Sequence, residues 1–179
     1  MKSGKPIRLL VMDVDGTLTN GKIYLGEQGE IFKVFDTKDG YGIRKILPEH
    51  NVIPAIITGR TSSILEKRAG ELGITEVHQG KQEKLETMKE LLNKFYCPPE
   101  QVAYIGDDLP DLPCMQICGI CGCPADAVPE VKAVCDFISS KNGGDGAVRE
   151  FVEWFLKQKH HKNAIGGQKR VRPDGLQRS

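Results

Sequence analysis

Two aspartates stand two residues apart where an apolar segment ends, in the motif Asp13-Val14-Asp15-Gly16-Thr17. On an extended chain, residues at this spacing point to the same side, so their negative charges repel each other. A bound Mg²⁺ would relieve this repulsion, because it takes oxygen ligands from one or two carboxylates and from a substrate phosphate. Asp13 is then the candidate nucleophile that attacks phosphorus, and Asp15 is the candidate acid and base. The motif therefore predicts phosphoryl-transfer chemistry.

A second apolar segment ends in Thr58-Gly59-Arg60, which offers a hydroxyl group and backbone N–H groups near a helix start. Such groups donate hydrogen bonds to phosphate, so Thr58 is a candidate catalytic residue and Gly59 a candidate substrate-binding residue. The reaction also needs a fixed positive charge beside the phosphoryl group, because the transition state is rich in negative charge. Lys84, which opens a predicted helix, is preferred for this catalytic and substrate-binding role, and Lys81 is the alternative.

Further carboxylates follow an apolar run in the segment 104–111, YIGDDLPD. Asp107 would complete the metal site, and Asp111, one helical turn further on, would orient a metal-bound water. Asp108 is a candidate helix N-cap. The sequence thus predicts a magnesium site formed by Asp13, Asp15, Asp107 and Asp111.

Apolar runs of strand length precede these carboxylate and Thr-Gly motifs, and helical patterns separate them. We predict strands at residues 7–12, 52–57, 102–105 and 119–123, and helices at residues 41–47, 62–72, 84–95 and 109–117. Because strands and helices alternate, the sequence predicts an α/β fold, a doubly wound three-layer parallel sheet. Ligands bind beyond the carboxyl ends of the strands in such sheets, which is where the motifs lie.

The stretch 21–35 breaks this alternation and is predicted to be a β-hairpin, with strands at 22–25 and 30–34. Neither gap between the motifs is long enough for a cap domain. We expect one domain over residues 1–156, with the hairpin projecting from it. The segment 157–179 has Gly, Pro and basic residues but no apolar face, so it is predicted to be a disordered tail. Such a tail is solvated, or it binds RNA or an anionic site on a neighbouring subunit.

The composition bears on the partner and on the compartment. The 179 residues include 25 Lys and Arg against 24 Asp and Glu, and this balance favours a small-molecule partner over nucleic acid or a membrane. The N-terminal apolar run fits neither a signal peptide nor a spanning helix, which predicts a cytoplasmic protein. The six cysteines are then expected to be reduced thiols. Four of them could bind zinc, but their spacing is not paired CxxC: Cys114, Cys118, Cys121 and Cys123.

The motifs, in this order, resemble those of the haloacid dehalogenase superfamily over residues 7–155. The resemblance implies an Asp nucleophile with Mg²⁺ and, because Asp15 is present, a phosphatase or phosphomutase. Closer still, the segments DVDGTLTNGKIY, ITGR, YIGDDLPDLP and GGDGAVREF look like those of the 3-deoxy-D-manno-octulosonate 8-phosphate phosphatases. That resemblance implies a phosphorylated sugar acid as substrate. It also implies a homotetramer in which hairpins assemble centrally and neighbouring subunits close each capless site.

Two arginines are candidates for substrate binding. The guanidinium of Arg60 suits the carboxylate of an octulosonate, although an exposed helix-start arginine is the alternative. Arg149, beside a Gly-rich turn, could bind substrate or pair with Glu150 or Glu153. Phosphatases of nine-carbon, sialic-acid-type 9-phosphates are the main alternative, and some of them have an acidic residue at the position of Arg60. A non-catalytic regulatory domain that partners a sugar cytidylyltransferase is a further alternative, which predicts a missing catalytic residue; none is missing here.

Overall fold

The computed structural model describes the backbone of residues 6–165 and the side chains of residues 6–158. Along the chain the strands are β1 (Leu9–Met12), β2 (Tyr24–Gly26), β3 (Gly29–Phe32), β4 (Ile53–Ile57), β5 (Glu76–His78), β6 (Val102–Ile105), β7 (Ile120–Cys123) and β8 (Phe137–Ile138). Six of them form one parallel sheet in the order β5-β4-β1-β6-β7-β8. The strand order reverses at β1, so the carboxyl end of β1 lies at the position where doubly wound sheets bind ligands.

The helices are α1 (Thr37–Tyr41), α2 (Leu47–Glu49), α3 (Ser63–Leu72), α4 (Lys84–Lys94), α5 (Leu112–Ile117), α6 (Pro129–Val134) and α7 (Ala147–Ile165). A π-helical turn, Gly42–Ile46, joins α1 to α2, and 3₁₀ turns at Pro99–Gln101 and Leu109–Asp111 precede β6 and α5. None of the helices in the described part of the chain is long and apolar enough to cross a membrane.

The central strand β1 separates two hydrophobic cores. Successive side chains of a strand point to opposite faces. Leu10 and Met12 accordingly pack in a core with Phe151 of α7, whereas Leu9 and Val11 pack in the other core. The second core includes Met88 of α4. The predicted three-layer α/β architecture is therefore confirmed, with the sheet as the middle layer.

The four predicted strands are confirmed with small shifts at their starts, and three predicted helices correspond to α3, α4 and the 109–117 segment. The last of these begins as a 3₁₀ turn, with Pro110 and Pro113 in its first positions. The helix predicted at 41–47 begins earlier, because the Asp36 carboxylate accepts a hydrogen bond from the Lys38 N–H at 2.6 Å and caps α1. An Asx cap of this kind is a helix-start signal.

The predicted hairpin is formed by β2 and β3, within the expected residues 21–35. The rings of Tyr24 and Phe32 stack across it at a centroid distance of 4.3 Å. Several of its large apolar side chains are exposed, namely Ile23, Leu25, Ile31, Phe32 and Val34. Between β1 and β4 the chain forms this hairpin and short helices, and no cap domain is inserted there.

The carboxyl-terminal helix α7 runs past residue 156 to Ile165, so residues 157–165 differ from the disordered tail predicted there. Lys and Gln have high helix propensity, which allows a helix to continue without an apolar face. The rest of the predicted tail, residues 166–179, lies outside the described residues.

Candidate active site

Three polar residues meet because each follows one of three neighbouring parallel strands. Asp13 follows β1, Thr58 follows β4, and Asp107 lies two residues beyond the end of β6. The carboxyl ends of these strands lie at the same edge of the sheet, where a cavity of about 160 Å³ opens. Besides Gln82 and Pro110, its lining includes most of the predicted site residues and their alternatives: Asp13, Asp15, Thr58, Gly59, Arg60, Lys81, Lys84, Asp108 and Asp111.

Lys84 is the first residue of α4, and its ammonium group bridges two carboxylates inside this cavity. Its Nζ donates to Asp13 Oδ1 at 2.6 Å and to Asp111 Oδ1 at 2.7 Å, and its side chain is 5% exposed. Burial lowers the pKa of Lys84, but the charges of Asp13 and Asp111 outweigh burial and raise it above its usual value. The lysine is therefore a permanent positive charge beside Asp13. Lys81, the alternative, lines the cavity but forms no hydrogen bond or ion pair with Asp13.

Asp111 is almost completely buried and holds several groups in place. Its Oδ1 accepts the Tyr104 hydroxyl at 2.7 Å, in addition to Lys84. Its Oδ2 accepts the backbone N–H groups of Asp107 at 3.1 Å and of Asp108 at 3.3 Å. Asp111 therefore positions Lys84 and the 107–108 backbone, and Asp108 caps the following 3₁₀ turn, the role predicted for it.

Asp13, Asp107 and Asp111 form the group of potential metal ligands found in the described part of the chain, with one oxygen from each within 4.8 Å of the others. Burial, together with the charge of Asp111, raises the pKa of Asp13 to about 6. Burial, together with the charge of Asp13, raises the pKa of Asp107 to about 8. Crowded carboxylates with raised pKa values fit a hard divalent cation, which would neutralise them and take their oxygens as ligands.

Close approach of the backbone brings Asp107 to the Asp13 motif. Gly16 has a φ of +98°, and a Cβ atom at this position would lie 2.0 Å from Asp107 Oδ2. Thr17 donates its hydroxyl hydrogen to Asp107 Oδ1 at 2.9 Å. The glycine is thus needed both for the backbone angle and for the space that the Asp107 carboxylate occupies.

The Asp15 carboxylate lines the cavity but lies outside the group of potential metal ligands. It contacts Lys33 Nζ, from the end of the hairpin, and its Oδ2 is 4.0 Å from Arg60 Nε. The structure therefore separates the side chain of Asp15 from the other predicted metal ligands. Its role as acid and base stays a prediction.

The loop of Thr58, Gly59 and Arg60 is held against the segment before α4. Lys81 N donates to Thr58 O at 2.9 Å, and Gln82 Nε2 donates to Gly59 O at 3.0 Å. Both loops line the cavity, and Thr58 is buried. The residues predicted to bind phosphate thus line the same cavity as Asp13.

Arg149 is not brought to this site within one chain. Its Nε donates to Glu153 Oε1 at 2.6 Å, and its guanidinium lies 5.0 Å from the centroid of the Tyr41 ring. Its backbone N–H donates to the buried carboxylate of Asp39 at 2.7 Å, at the start of α7. The ion pair with Glu153 is one of the alternatives that its sequence neighbours suggested, and a contact with substrate stays a prediction.

The four clustered cysteines do not form a group of three or more potential metal ligands in the described residues. They are buried, and the Cys118 thiol donates to the carbonyl oxygens of Met115 and Ile120. They belong to the core on the Leu9 side of the sheet.

Sequence reasoning missed three residues of this site. Tyr104, the hydroxyl partner of Asp111, lies within a quoted motif but was given no role. Glu30 and Lys33 belong to the hairpin, and the Glu30 carboxylate accepts from Arg60 Nη2 at 3.3 Å. A Glu and a Lys at positions i and i+3 of a hairpin predicted to project from the domain do not indicate that their side chains reach the site.

The fold places a cavity lined by carboxylates and a buried lysine beyond the central strand of a doubly wound sheet. The haloacid dehalogenase-like hydrolase family matches residues 55–151, and the chain belongs to this family.

Two similar proteins within the family carry the same name. The chain is 48% identical over 150 residues to the 3-deoxy-D-manno-octulosonate 8-phosphate phosphatase of Yersinia pestis, which covers 84% of this chain and 80% of that protein. It is 46% identical over 150 residues to the phosphatase of the same name from Escherichia coli strain K12, with 84% and 79% covered.

The fold is also similar to solved structures. The crystal structure of the 3-deoxy-D-manno-octulosonate 8-phosphate phosphatase from Moraxella catarrhalis, in complex with magnesium ion, phosphate ion and KDO, has a TM-score of 0.83 and 40% identity. The matched part is 90% of this chain and 92% of the Moraxella catarrhalis chain. The Yersinia pestis structure has a TM-score of 0.82 and 46% identity, with 90% and 85% covered.

Proposed function

We propose that this protein is a magnesium-dependent phosphomonoesterase that hydrolyses 3-deoxy-D-manno-octulosonate 8-phosphate to the free sugar acid and phosphate. The observation that carries the proposal is the position of Asp13. It lines the cavity, with its Oδ1 2.6 Å from the buried ammonium of Lys84, and the Asp15 carboxylate lines the same cavity. This arrangement provides a nucleophile, a positive charge and a proton donor around one phosphoryl group.

The first step transfers the phosphoryl group to the enzyme. Asp13 attacks phosphorus, a P–O bond forms to its carboxylate, and the P–O bond to the sugar breaks. Asp15 gives its proton to the departing alkoxide. Lys84, the Thr58 hydroxyl and the Gly59 N–H stabilise the negative charge on the phosphoryl oxygens.

The second step returns the enzyme to its starting state. Asp15, now deprotonated, accepts a proton from a water molecule that attacks the aspartyl-phosphate, and phosphate leaves. Splitting the hydrolysis in this way replaces one difficult displacement by two easier ones.

A magnesium ion would be held by the carboxylates of Asp13 and Asp107, with Asp111 fixing the 107–108 backbone beside it. When bound, it shields the negative charge of Asp13 and of the phosphoryl group. Asp15 was also predicted as a ligand, but its carboxylate is engaged by Lys33.

The choice of substrate is supported by Arg60 and by the names of the similar phosphatases. The Arg60 side chain is 39% exposed at the cavity, where a guanidinium suits the carboxylate of a sugar acid. We expect Mg²⁺-dependent phosphate release from the octulosonate 8-phosphate at a kcat/KM well above that for a nine-carbon acid 9-phosphate. The two substrates are measured side by side. A preference for the nine-carbon acid would contradict the proposed substrate and leave the mechanism in place.

The proposal includes a cytoplasmic homotetramer. The exposed apolar side chains of the hairpin support self-association, since contiguous exposed apolar surface marks interaction sites. All six cysteines lie in the described residues as thiols, in keeping with a reducing compartment.

A further inference from the structure

The hairpin is more than a projecting element, because two of its charged side chains fold back onto the catalytic cavity. Lys33 follows β3, and its side chain is only 3% exposed. Its Nζ contacts Asp15 Oδ1 and lies 3.0 Å from Glu30 Oε1. A lysine is almost never buried to this degree unless it is paired, and both partners of Lys33 are carboxylates.

The Glu30 carboxylate pairs with both cations that lie near Asp15, namely Lys33 and Arg60. Its side chain is 13% exposed, its Oε1 accepts from Lys33 and from Arg60 Nη2, and its Oε2 accepts the Ser62 hydroxyl. Burial raises the pKa of Glu30, but the hydrogen bonds from Ser62 and Lys33 outweigh it and hold the pKa below its usual value. The carboxyl group is therefore a fixed negative charge between two cations.

These contacts close a ring of alternating acidic and basic side chains: Asp15, Lys33, Glu30, Arg60 and back to Asp15, where the last separation is 4.0 Å. Two members of the ring come from the hairpin, one from the loop after β1 and one from the loop after β4. A shift of the hairpin would therefore displace the cation beside the proton donor and the guanidinium at the cavity mouth together.

We infer that Lys33 and Glu30 are positioning residues of the active site. Lys33 holds the Asp15 carboxylate toward the leaving group, and Glu30 holds Lys33 and aims Arg60 at the substrate carboxylate. The inference rests on the proposed function for the role of Arg60. The role of Lys33 needs only the phosphatase chemistry of Asp15.

The test compares substrates that separate the two roles. Phenyl phosphate and p-nitrophenyl phosphate have similar shapes and no carboxylate. Nitrophenolate leaves with little help from a proton donor, whereas the more basic phenolate depends on proton donation more strongly. The value of kcat/KM depends only on the steps up to and including the first irreversible one, which is transfer of the phosphoryl group to Asp13. The octulosonate 8-phosphate adds both an alkoxide leaving group and a carboxylate.

With Lys33→Met we expect kcat/KM to fall about tenfold to a hundredfold for phenyl phosphate, the size expected when one charge-assisted hydrogen bond is lost. The fall for p-nitrophenyl phosphate should be clearly smaller. Lys33→Arg keeps the charge and should recover much of the loss. For Glu30→Gln we expect a raised KM for the octulosonate 8-phosphate and a smaller effect on p-nitrophenyl phosphate.

Matched controls come from the same hairpin. Lys22→Met and Glu27→Gln make the same changes at exposed positions and should behave as the wild type. Melting temperature and light scattering are measured for every variant, because the hairpin is also the proposed subunit contact.

Equal losses of Lys33→Met on phenyl and p-nitrophenyl phosphate, or behaviour identical to Lys22→Met, would overturn the role of Lys33. An unchanged KM of Glu30→Gln for the octulosonate 8-phosphate would overturn the role of Glu30. If the wild type hydrolyses the aryl phosphates but not the octulosonate 8-phosphate, the proposed substrate fails, and with it the role of Glu30. The aryl pair still decides the role of Lys33.

Discussion

Replacing Lys84 by Met removes the positive charge at the centre of the site and keeps the length of the side chain. The ammonium lies 2.6 Å from Asp13 Oδ1 and 2.7 Å from Asp111 Oδ1, and all three side chains are at most 8% exposed. The variant therefore leaves two buried carboxylates facing each other without a cation. Since the charge of Lys84 lowers the pKa of Asp13, that pKa should rise above its value of about 6.

Two magnitudes follow from this geometry. Removing one partner of a buried ion pair costs about 3–5 kcal/mol of folding free energy, because a charge is left without compensation. Removing one preorganised group that stabilises transition-state charge lowers kcat by about 10²–10³-fold. At pH 8 we expect the loss of folding free energy in the metal-free protein and the loss of kcat in the Mg²⁺-loaded enzyme. The loss of folding free energy should be smaller at pH 5, where Asp13 is protonated.

The assay is phosphate release with Mg²⁺ together with urea unfolding of the metal-free protein. Lys89→Met is the matched control, because Lys89 lies on the same helix, is exposed, and pairs with Glu86 at its surface. Lys81→Met tests the alternative lysine. A wild-type kcat in Lys84→Met, or a larger loss in Lys81→Met, would refute the assignment of the phosphoryl-binding charge to Lys84.

Three further predictions follow from single contacts. Gly16→Ala should abolish turnover, because the added Cβ would collide with the Asp107 carboxylate. The control is Gly73→Ala, at φ +74° with no neighbour closer than 3.8 Å, which should lose about 1 kcal/mol of stability and keep its kcat. Equal kcat values for the two variants would contradict this prediction. Asp39 is buried, and burial raises its pKa from 3.8 to about 6. Between these two pH values the folded state binds more protons than the unfolded state. The free energy of unfolding therefore falls as the pH rises through this range, by about 3 kcal/mol at most. Urea unfolding of Asp39→Asn should lack this part of the pH dependence, and an unchanged slope would count against the pKa shift. Ile31→Asp, on the exposed hairpin, should reduce the mass measured by light scattering, and an unchanged assembly would remove the hairpin from the proposed interface.

The site residues that directly follow parallel strands could be predicted from the sequence, because the end of each strand determines where the next residue lies. Asp13, Thr58 and Asp107 each come after an apolar run, and the parallel sheet brings such positions to one edge. Lys84 could be preferred because it opens a predicted helix. Its distance from Asp13 depends on how α4 packs against the sheet, which no local pattern encodes.

The contacts of the hairpin could not be predicted, since they depend on tertiary structure. Glu30 and Lys33 become site residues only because the hairpin folds toward the loops after β1 and β4. Arg149 shows the converse: its position beside a Gly-rich turn suggested a ligand role, but α7 places Glu153 one turn away and Tyr41 under its guanidinium. Local sequence does not distinguish a cation that pairs along its own helix from one that faces a cavity.

The central claim is that Asp13 attacks the phosphoryl group of a sugar acid phosphate. The most direct measurement is the initial rate of phosphate release from 3-deoxy-D-manno-octulosonate 8-phosphate by the wild type and by Asp13→Asn, each with and without Mg²⁺. We predict rapid release by the wild type with Mg²⁺ and none above background in the other three conditions, with the variant still folded, because Asn keeps the shape and removes the nucleophile. Release by Asp13→Asn at a rate near that of the wild type would contradict the account.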